Sequence, residues 1–277
     1  RGLEVFGLAF LFRLQAWILG WSSYKMLLRV DILNLMGLAI IADAALWGLS
    51  SSPRRRIAVF LVATLATTLP TPIVRTTTWL AGLPDPLEAY LRPAGAYSGF
   101  PFFPWAGFVF AGGLIGVLLD RRTPDASRSD IRLNTWFGVG GGVLALTAYA
   151  ASFLPTPYAR SDFWTSSPSF FLLRLGLLTL AMGAAFAWER RPWGRGGWSW
   201  VQQLGRTSLF IYWVHVELVY GLISTPIHHK LTFWQSCIAL VLFSALMLYL
   251  SLAKDRYVAG RQARRDPLTG THPVPLT

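Results

Sequence analysis

Charged residues are scarce in this chain. Asp, Glu, Lys and Arg make up only 14% of its 277 residues, whereas a soluble domain carries about 25%. Cysteine is nearly absent too, since Cys237 is the single one, and this excludes a disulfide framework and a thiolate metal site. The low charge, together with 53% hydrophobic residues and a mean hydropathy of +0.45, indicates an integral membrane protein.

Long apolar runs make up most of the sequence. A helix needs ~20 apolar residues to cross a bilayer, and the runs lack the alternation of polar and apolar residues that is typical of membrane barrels. We therefore predict an all-α fold, a polytopic transmembrane bundle of about eight helices over residues 1–253. The predicted spans are Gly2–Trp21, Asp31–Leu49, Ile57–Leu80, Phe100–Leu119, Leu133–Leu154, Pro168–Trp188, Val201–Ser224 and Thr232–Ala253. Pro70 and Pro72 interrupt the third, which packing against neighbouring helices tolerates.

The basic residues predict the topology. Fifteen Lys and Arg lie in alternate connections and in the tail, against six in the intervening connections. By the positive-inside rule, both chain ends then lie in the cytoplasm. Arg outnumbers Lys, which is typical of a GC-rich bacterial gene, so we expect a multi-pass protein of the bacterial inner membrane. The net charge of +12 belongs to loops that face anionic lipid and does not indicate nucleic-acid binding.

Two segments lie outside the predicted spans. The longest outer connection, about residues 75–99, is rich in Pro, Gly and Thr, and either a lid or a solvated connector fits it. Residues 254–277 form the predicted cytoplasmic tail, which we expect to be disordered. The chain begins at Arg1 rather than Met, and we expect further helices before it.

Ionisable side chains within apolar runs carry the functional signal, because each is unfavourable in hydrocarbon by ~2.5–3.5 kcal/mol. At roughly 1.5 Å of rise per residue, the predicted topology places six polar or amphipathic groups in one layer near the outer face, with Arg13 just beneath it. These six are Asp31, Asn34, Trp105, Arg174, His215 and Glu217. Their common depth predicts a pocket open to the outer face. We expect Arg13 to pair with Asp31, and Arg174 with Glu217.

Structural explanations stay open for members of this layer. Asp31 and Asn34 are also suited to capping a helix start, and Trp105 to anchoring a helix at the membrane interface. His215 is equally consistent with a hydrogen-bonded packing residue, and Glu217 with neutralising an arginine.

Local spacing adds detail to these expectations. His215 and Glu217 lie two residues apart, about 200° around a helix, so we do not expect a dyad. Tyr212 shares the face of His215 and is its predicted local partner. Asp43 lies deeper, where it pairs with an arginine or lines an inner cavity. The histidine pair at residues 228–229 lacks carboxylate and Cys neighbours, so we predict no metal site there.

Small residues predict where helices approach closely. Gly112 with Gly116, and Gly138 with Gly142, have the small-xxx-small spacing of such contacts. This is a packing signal without chemical content.

Three segments stand out as motifs: VDILNLMGLAIIA at residues 30–42, AYSGFPFFPWAGFVFAGGLIG at 96–116 and LGRTSLFIYWVHVELVYG at 204–221. In order and spacing they resemble the catalytic domain of the heparan-alpha-glucosaminide N-acetyltransferase family and its bacterial relatives. The likeness covers most of residues 1–253. In the third segment the matching residues are Leu204, Gly205, Arg206, Ser208, Leu209, Tyr212 and His215.

The resemblance implies a membrane acyltransferase. Such an enzyme moves an acyl group, here expected to be acetyl, from cytoplasmic acyl-CoA to a sugar amine or hydroxyl on the outer side. Acyl-CoA is then a co-substrate, no cofactor is permanently bound, and an envelope carbohydrate is the acceptor. His215 is expected in the catalytic network, but not as the sole base. The expected substrate contacts are Arg13, Asp31, Asn34, Trp105, Arg174, Tyr212 and Glu217.

The chain departs from the family pattern in two ways. The family's opening helices, with an aspartate–arginine–glycine start and the histidine regarded as catalytic, have no counterpart here. The position that is usually histidine in the second helix is Asn34. We expect a chain that lacks its N-terminal helices, and an inactive relative is the alternative.

Two other classes of function fit intramembrane charges. One is a transporter or flippase, although the sequence shows no pair of matching interrupted helices. The other is a non-catalytic membrane subunit. The oligomeric state is not indicated.

Overall fold

The computed structural model of the chain describes residues 1–20, 24–97, 99–120, 126–191, 198–220, 224, 226 and 230–265. Helices make up 79% of the structure, and no β-strand occurs among the described residues. The predicted all-α fold class is therefore confirmed. The chain divides into two compact units, Arg1–Arg195 and Gly196–Thr277, which we call the N-terminal and C-terminal units.

The described part of the N-terminal unit has eight α-helices. They are α1 Gly2–Gly20, α2 Ile32–Gly48, α3 Pro53–Thr68, α4 Thr71–Thr76, α5 Asp85–Leu91, α6 Phe102–Asp120, α7 Ala126–Ala151 and α8 Pro168–Glu189. The described part of the C-terminal unit has three. They are α9 Trp200–Arg206, α10 Ser208–Tyr220 and α11 Phe233–Arg265.

Each of the eight apolar runs is largely helical, and two of them are divided. The third breaks between Thr68 and Thr71, as the two prolines predict. The seventh breaks at Thr207, whose backbone leaves the helical region, and this break was not predicted. The last helix passes Ala253 and continues to Arg265, so the first part of the predicted tail is helical. Residues 266–277 lie outside the described residues.

Apolar helices suggest a membrane protein. Four segments among the described residues are long and apolar enough to cross a bilayer. They are Pro53–Thr76, Phe102–Asp120, Pro168–Glu189 and Phe233–Gln262. Ile32–Gly48 and Ser208–Val219 are apolar but shorter. Large apolar side chains such as Leu178 and Val241 are exposed, which suits contact with lipid. The predicted count of about eight spans is not confirmed.

The core of the N-terminal unit lies where α2, α3 and α6 meet. Leu35, Ala39, Phe60, Ala106 and Phe110 are its buried members. Helices α3 and α4 also carry buried threonines. Their hydroxyls donate to backbone carbonyls three or four residues earlier, at 2.7–3.0 Å. These threonine hydroxyls are therefore satisfied locally.

Glycines bring α7 and α8 together, but not all of those predicted. A Cβ on Gly141 would lie 2.5 Å from the backbone nitrogen of Leu180, and one on Gly183 would lie 2.7 Å from Gly138. Gly142 meets no described atom within 4 Å. The contact face thus includes Gly138 and Gly141, so the predicted role of Gly142 is wrong.

The same correction applies to α6. Neither Gly112 nor Gly116 has a described neighbour within 4 Å of an added Cβ, so the close approach predicted from their spacing is wrong. Gly113 makes the contact instead, because its Cβ would lie 2.6 Å from the ring of Phe60. One residue along a helix rotates the side-chain direction by roughly 100°, which is enough to move a glycine out of the interface.

The long connection before α6 is folded. It contains the 3-10 turn Trp79–Gly82 and helix α5, and the backbone of Val30 hydrogen-bonds Tyr97 at 2.7 Å and Gly99 at 2.9 Å. Arg92 pairs with Glu88 and donates to the carbonyl of Thr77. These contacts give the connection a local structure, and its role, whether lid or solvated connector, stays a prediction.

Candidate functional site

An ion pair joins the first two helices of the N-terminal unit. Nη2 of Arg13, on α1, lies 3.0 Å from Oδ2 of Asp31, and the two side chains are only 12% and 8% exposed. The predicted pairing of these residues is therefore confirmed. The carboxylate offsets the unfavourable burial of a guanidinium among apolar helices.

Asp31 also begins α2. Its carboxylate accepts from the backbone N–H groups of Leu33 and Asn34 at 3.0 and 3.2 Å, and the side chain of Asn34 accepts from the N–H of Asp31 at 3.2 Å. This is a capping box, which satisfies donors that the helix start leaves unpaired. The capping role that we left open for both residues is thus present, and their role as substrate contacts stays a prediction.

Tyr90 of α5 completes this cluster. Its hydroxyl accepts from Nδ2 of Asn34 at 3.5 Å. Burial raises the pKa of Tyr90 above its ordinary value, the hydrogen bond from Asn34 lowers it, and the nearby charge of Asp31 raises it. The phenol is therefore neutral at physiological pH. We call Arg13, Asp31, Asn34 and Tyr90 the ion-pair cluster.

A cavity of about 190 Å³ opens beside the start of α6. Its wall includes aromatic rings from three parts of the N-terminal unit: Trp105 of α6, Trp164 of the loop before α8, and Phe170 of α8. Arg75 of α4 and Arg174 of α8 also line it. The structure therefore brings Trp105 and Arg174 together, as the predicted layer requires. We call this hollow the arginine–aromatic cavity.

The two arginines are held differently. The guanidinium of Arg174 lies over the ring of Phe170 at 4.0 Å and over that of Trp105 at 5.5 Å, a cation–π arrangement that favours this position. Nε of Arg75 is buried and has no hydrogen-bond partner among the described residues. Asp162 acts on Arg75 electrostatically, but no ion pair within 4.0 Å joins them in the described part of the chain. Both cations thus line the cavity with donors to spare.

The loop before α8 is shaped by Asp162. Its carboxylate accepts from the hydroxyl of Thr165 at 2.7 Å, and its carbonyl accepts from the N–H groups of Ser166 and Ser167 at 3.0 Å. Ser167 then caps α8 by accepting from the N–H of Ser169. Thr165 and Ser167 line the cavity and add hydroxyl groups to its wall.

One backbone contact connects the ion-pair cluster with the cavity. Gly99 lines the cavity and donates to the carbonyl of Val30, the residue before Asp31. Arg13, Asp31 and Asn34 are not among the lining residues. The part of the predicted layer that belongs to the N-terminal unit therefore forms two neighbouring groups rather than one pocket.

The predicted residues of the C-terminal unit lie on α10. Tyr212, His215 and Glu217 are half-buried, and the imidazole of His215 meets the ring of Phe243 on α11 edge-on at 5.7 Å. Oε1 of Glu217 is buried without a hydrogen-bond partner among the described residues. Arg174 belongs to the N-terminal unit and Glu217 to the C-terminal unit, and their predicted pairing stays a prediction. The histidines at 228–229 lie outside the described residues.

Sequence reasoning missed a polar network within the C-terminal unit. Nε2 of Gln203 donates to Oγ of Ser251 at 2.9 Å and to Oδ2 of Asp255 at 2.7 Å, and the hydroxyls of Thr207 and Ser251 are 2.7 Å apart. Gln203 and Thr207 lie four residues apart on the chain, as do Ser251 and Asp255. This repeated spacing was a signal that both helices present a polar face.

Asp43 contributes an isolated carboxylate on the α2–α6 seam. A Cβ on Gly113 would lie 2.5 Å from its Oδ1, so the absence of a side chain at Gly113 makes room for the carboxylate. That oxygen has no hydrogen-bond partner among the described residues, and no arginine there forms an ion pair with Asp43. The pairing with an arginine that we left open is not observed.

The cavity contains groups that bind and orient rather than groups that move protons. Its lining carries guanidinium, hydroxyl, indole and phenyl groups, with no imidazole or carboxylate among the residues that form it. Arg75 was missed as a member because Pro70 and Pro72 made it look like a loop charge. Comparison with protein families, curated proteins and solved structures finds no match for this chain.

Proposed function

We propose that this chain belongs to a membrane-bound acyltransferase that modifies an envelope carbohydrate. The acyl group, with acetyl as the expected one, comes from acyl-CoA on the cytoplasmic side, and a sugar amine or hydroxyl on the outer side accepts it. The enzyme is a multi-pass protein of the bacterial inner membrane with about eight spans and both chain ends in the cytoplasm.

The contact between two of the motif segments supports this proposal. The segment that opens α2 and the segment that opens α6 are about 65 residues apart in the sequence, yet Val30 hydrogen-bonds both Tyr97 and Gly99. Val30 directly precedes Asp31 of the ion-pair cluster, and Gly99 lines the arginine–aromatic cavity. Motifs that serve one site are expected to meet around it.

Acyl transfer requires a base that acts on the acceptor and hydrogen-bond donors that act on the thioester. A base takes a proton from the acceptor nitrogen or oxygen, which bonds to the acyl carbon as the carbon–sulfur bond breaks and CoA leaves as the thiol. Donors stabilise the oxyanion that forms on the thioester carbonyl. In this proposal the arginine–aromatic cavity orients the acceptor, and His215 belongs to the network around the reacting groups.

Right-side-out and inverted membrane vesicles with and without the protein test the proposal. Labelled acetyl-CoA supplied on the cytoplasmic face of vesicles should transfer label to envelope saccharide on the opposite face, and only when the protein is present. Mass spectrometry of the saccharide would identify an added acetyl group. Equal labelling in vesicles that lack the protein would refute the acyltransferase proposal.

A transporter or flippase is the second candidate. The observation that favours it is the cavity wall, which has binding groups but no acid–base group. The same vesicles separate the two functions, since a transporter would move labelled saccharide across the membrane without acetyl-CoA and without chemical change. A non-catalytic subunit would do neither.

A further inference from the structure

We propose that the arginine–aromatic cavity binds a single sugar unit that carries an oxyanion, either a carboxylate or a phosphate. As an assignment of the acceptor's class this inference rests on the proposed function, but the binding itself can be measured without acyl transfer.

The charge of the cavity comes from two cations with unused donors. Arg75 and Arg174 have no hydrogen bond or ion pair within 4.0 Å to another described residue, although both line the same hollow. A guanidinium presents a planar fork of N–H groups that matches a carboxylate or phosphate. Two such forks at one cavity favour an anionic group over a neutral one.

The aromatic walls select the remainder of the ligand. Trp105 and Trp164 present flat apolar faces, while Thr165 and Ser167 supply hydroxyl groups. A sugar ring has an apolar face of C–H groups and an edge of hydroxyls, so it matches such a wall. A cavity of this kind fixes orientation with a few polar groups.

Size limits the ligand to one unit. The cavity of about 190 Å³ lies below the ~300–1,000 Å³ of sites that enclose drug-sized ligands. It therefore admits one monosaccharide unit with its charged group, and the rest of a polysaccharide would extend outside.

Each of the two arginines is held in place by a different set of contacts. Arg174 lies over the rings of Phe170 and Trp105, so its position has aromatic support without a ligand. Arg75 lies on the short helix α4. Arg92 of the folded connection donates to the carbonyls of Val74 and Thr77 and so ties α4 to that connection. Preorganisation of this kind reduces the ordering that binding requires.

Binding to the whole protein in nanodiscs of zwitterionic phosphatidylcholine tests the inference. The probes are glucuronate, glucose 6-phosphate and neutral glucose, each titrated by isothermal calorimetry without acyl-CoA. Both anionic sugars should bind, and glucose should bind at least about tenfold more weakly, since hydrogen bonds to charged groups are the stronger ones. Equal binding of glucose and glucuronate would refute the inference.

Variants assign the binding to this cavity. Arg75→Gln and Arg174→Gln should each weaken glucuronate binding by about ten- to a hundredfold, and should weaken glucose binding by a smaller factor. Arg75→Lys keeps the charge but not the fork, and should fall between Gln and the wild type. The matched control is Arg160→Gln, because Arg160 is exposed and does not line the cavity. Unchanged binding in both Gln variants, at wild-type melting temperatures, would overturn the assignment.

Two further outcomes separate this inference from its alternatives. If a small fraction of phosphatidylglycerol in the nanodisc abolishes glucuronate binding, the cavity is a lipid-headgroup site and the inference fails. If anionic sugars bind as expected but vesicles transfer no acyl group, the proposed function fails while the binding site stands. Transfer to neutral saccharides only would support the function and refute the anionic acceptor.

Discussion

At the scale of single residues, the Arg13–Asp31 pair is the strongest test of how the N-terminal unit is held together. The carboxylate has two tasks, since it pairs with a buried guanidinium at 3.0 Å and caps α2 through two backbone N–H groups. Asn is as good an N-cap as Asp, so a single substitution can remove one task and keep the other.

We expect Asp31→Asn to lower the free energy of unfolding by ~3 kcal/mol, because it leaves the Arg13 charge without its carboxylate while the cap remains. Arg13→Met with Asp31→Asn should be more stable than the sum of the two single effects predicts. Chemical denaturation in detergent measures both quantities. Additive effects, within ~0.5 kcal/mol, would show that the pair contributes no coupling.

Asp85→Asn is the matched control for this series. Asp85 also lies in the first turn of a helix, but it is exposed and has no ion pair among the described residues. The same chemical change there should alter stability by less than ~0.5 kcal/mol.

His215 is a second residue whose role one variant can define. Its imidazole packs against Phe243, and the proposed function places it in the catalytic network without making it the sole base. In the acyltransferase assay, His215→Gln should reduce turnover modestly and leave acyl-CoA binding intact. A loss of ~10²–10⁴-fold would instead identify His215 as the general base. Unchanged turnover with an altered melting temperature would assign it to packing alone.

At the scale of elements, the α7–α8 contact depends on glycines that have no room for a side chain. A Cβ at Gly141 would meet two backbone atoms, the nitrogen of Leu180 at 2.5 Å and the carbonyl oxygen of Gly176 at 2.7 Å. Backbone atoms cannot yield by changing rotamer, so the helices must move apart. Gly142 is adjacent in sequence but meets no described atom within 4 Å.

Gly141→Ala should therefore destabilise the protein by ~1–3 kcal/mol through overpacking. Gly142→Ala should be neutral or stabilise it by up to ~1 kcal/mol, because Ala is the better helix former. Melting temperatures of the two variants in the same detergent give the comparison. If Gly142→Ala proved the more harmful change, the contact face would be rotated from the one described.

The helices themselves were predictable because apolar length determines where they form, and proline determines where α3 ends. Which face of a helix makes a contact was not predictable, as Gly141 and Gly142 show, since spacing alone fits either. The break at Thr207 was missed because the run continues in composition. At this break the Thr207 hydroxyl is buried against Ser251 of another helix, a tertiary contact that composition does not reveal.

The site shows the same division between local and tertiary information. Arg13 and Asp31 could be paired from the sequence, since opposite charges at similar depth in apolar runs have few other partners. The cavity could not be assembled in that way. Trp164 and Phe170 are two among many aromatic residues, and only folding brings Arg75 close to Arg174.

At the scale of the whole molecule, the membrane topology remains a prediction. It depends on whether α7 crosses the membrane. The predicted topology requires three membrane crossings between the α2–α3 connection and the α7–α8 connection. These are the crossings of α3 with α4, of α6 and of α7. Pro53–Thr76 and Phe102–Asp120 are long and apolar enough to cross, whereas α7, Ala126–Ala151, is not among the four segments that meet these criteria.

Cysteine labelling at two exposed positions tests the topology, in a Cys237→Ser background. Ser51 lies between α2 and α3 and Ala159 between α7 and α8, and both are exposed. In intact cells a membrane-impermeant maleimide should label Ala159→Cys, and it should label Ser51→Cys only after permeabilisation, because the positive-inside rule places Arg54–Arg56 in the cytoplasm. The reverse pattern would invert the orientation and turn the arginine–aromatic cavity away from an external acceptor. Labelling of both positions from one side would show an even number of crossings between them, so at least one of the three predicted crossings would be absent and the count of eight spans would fail.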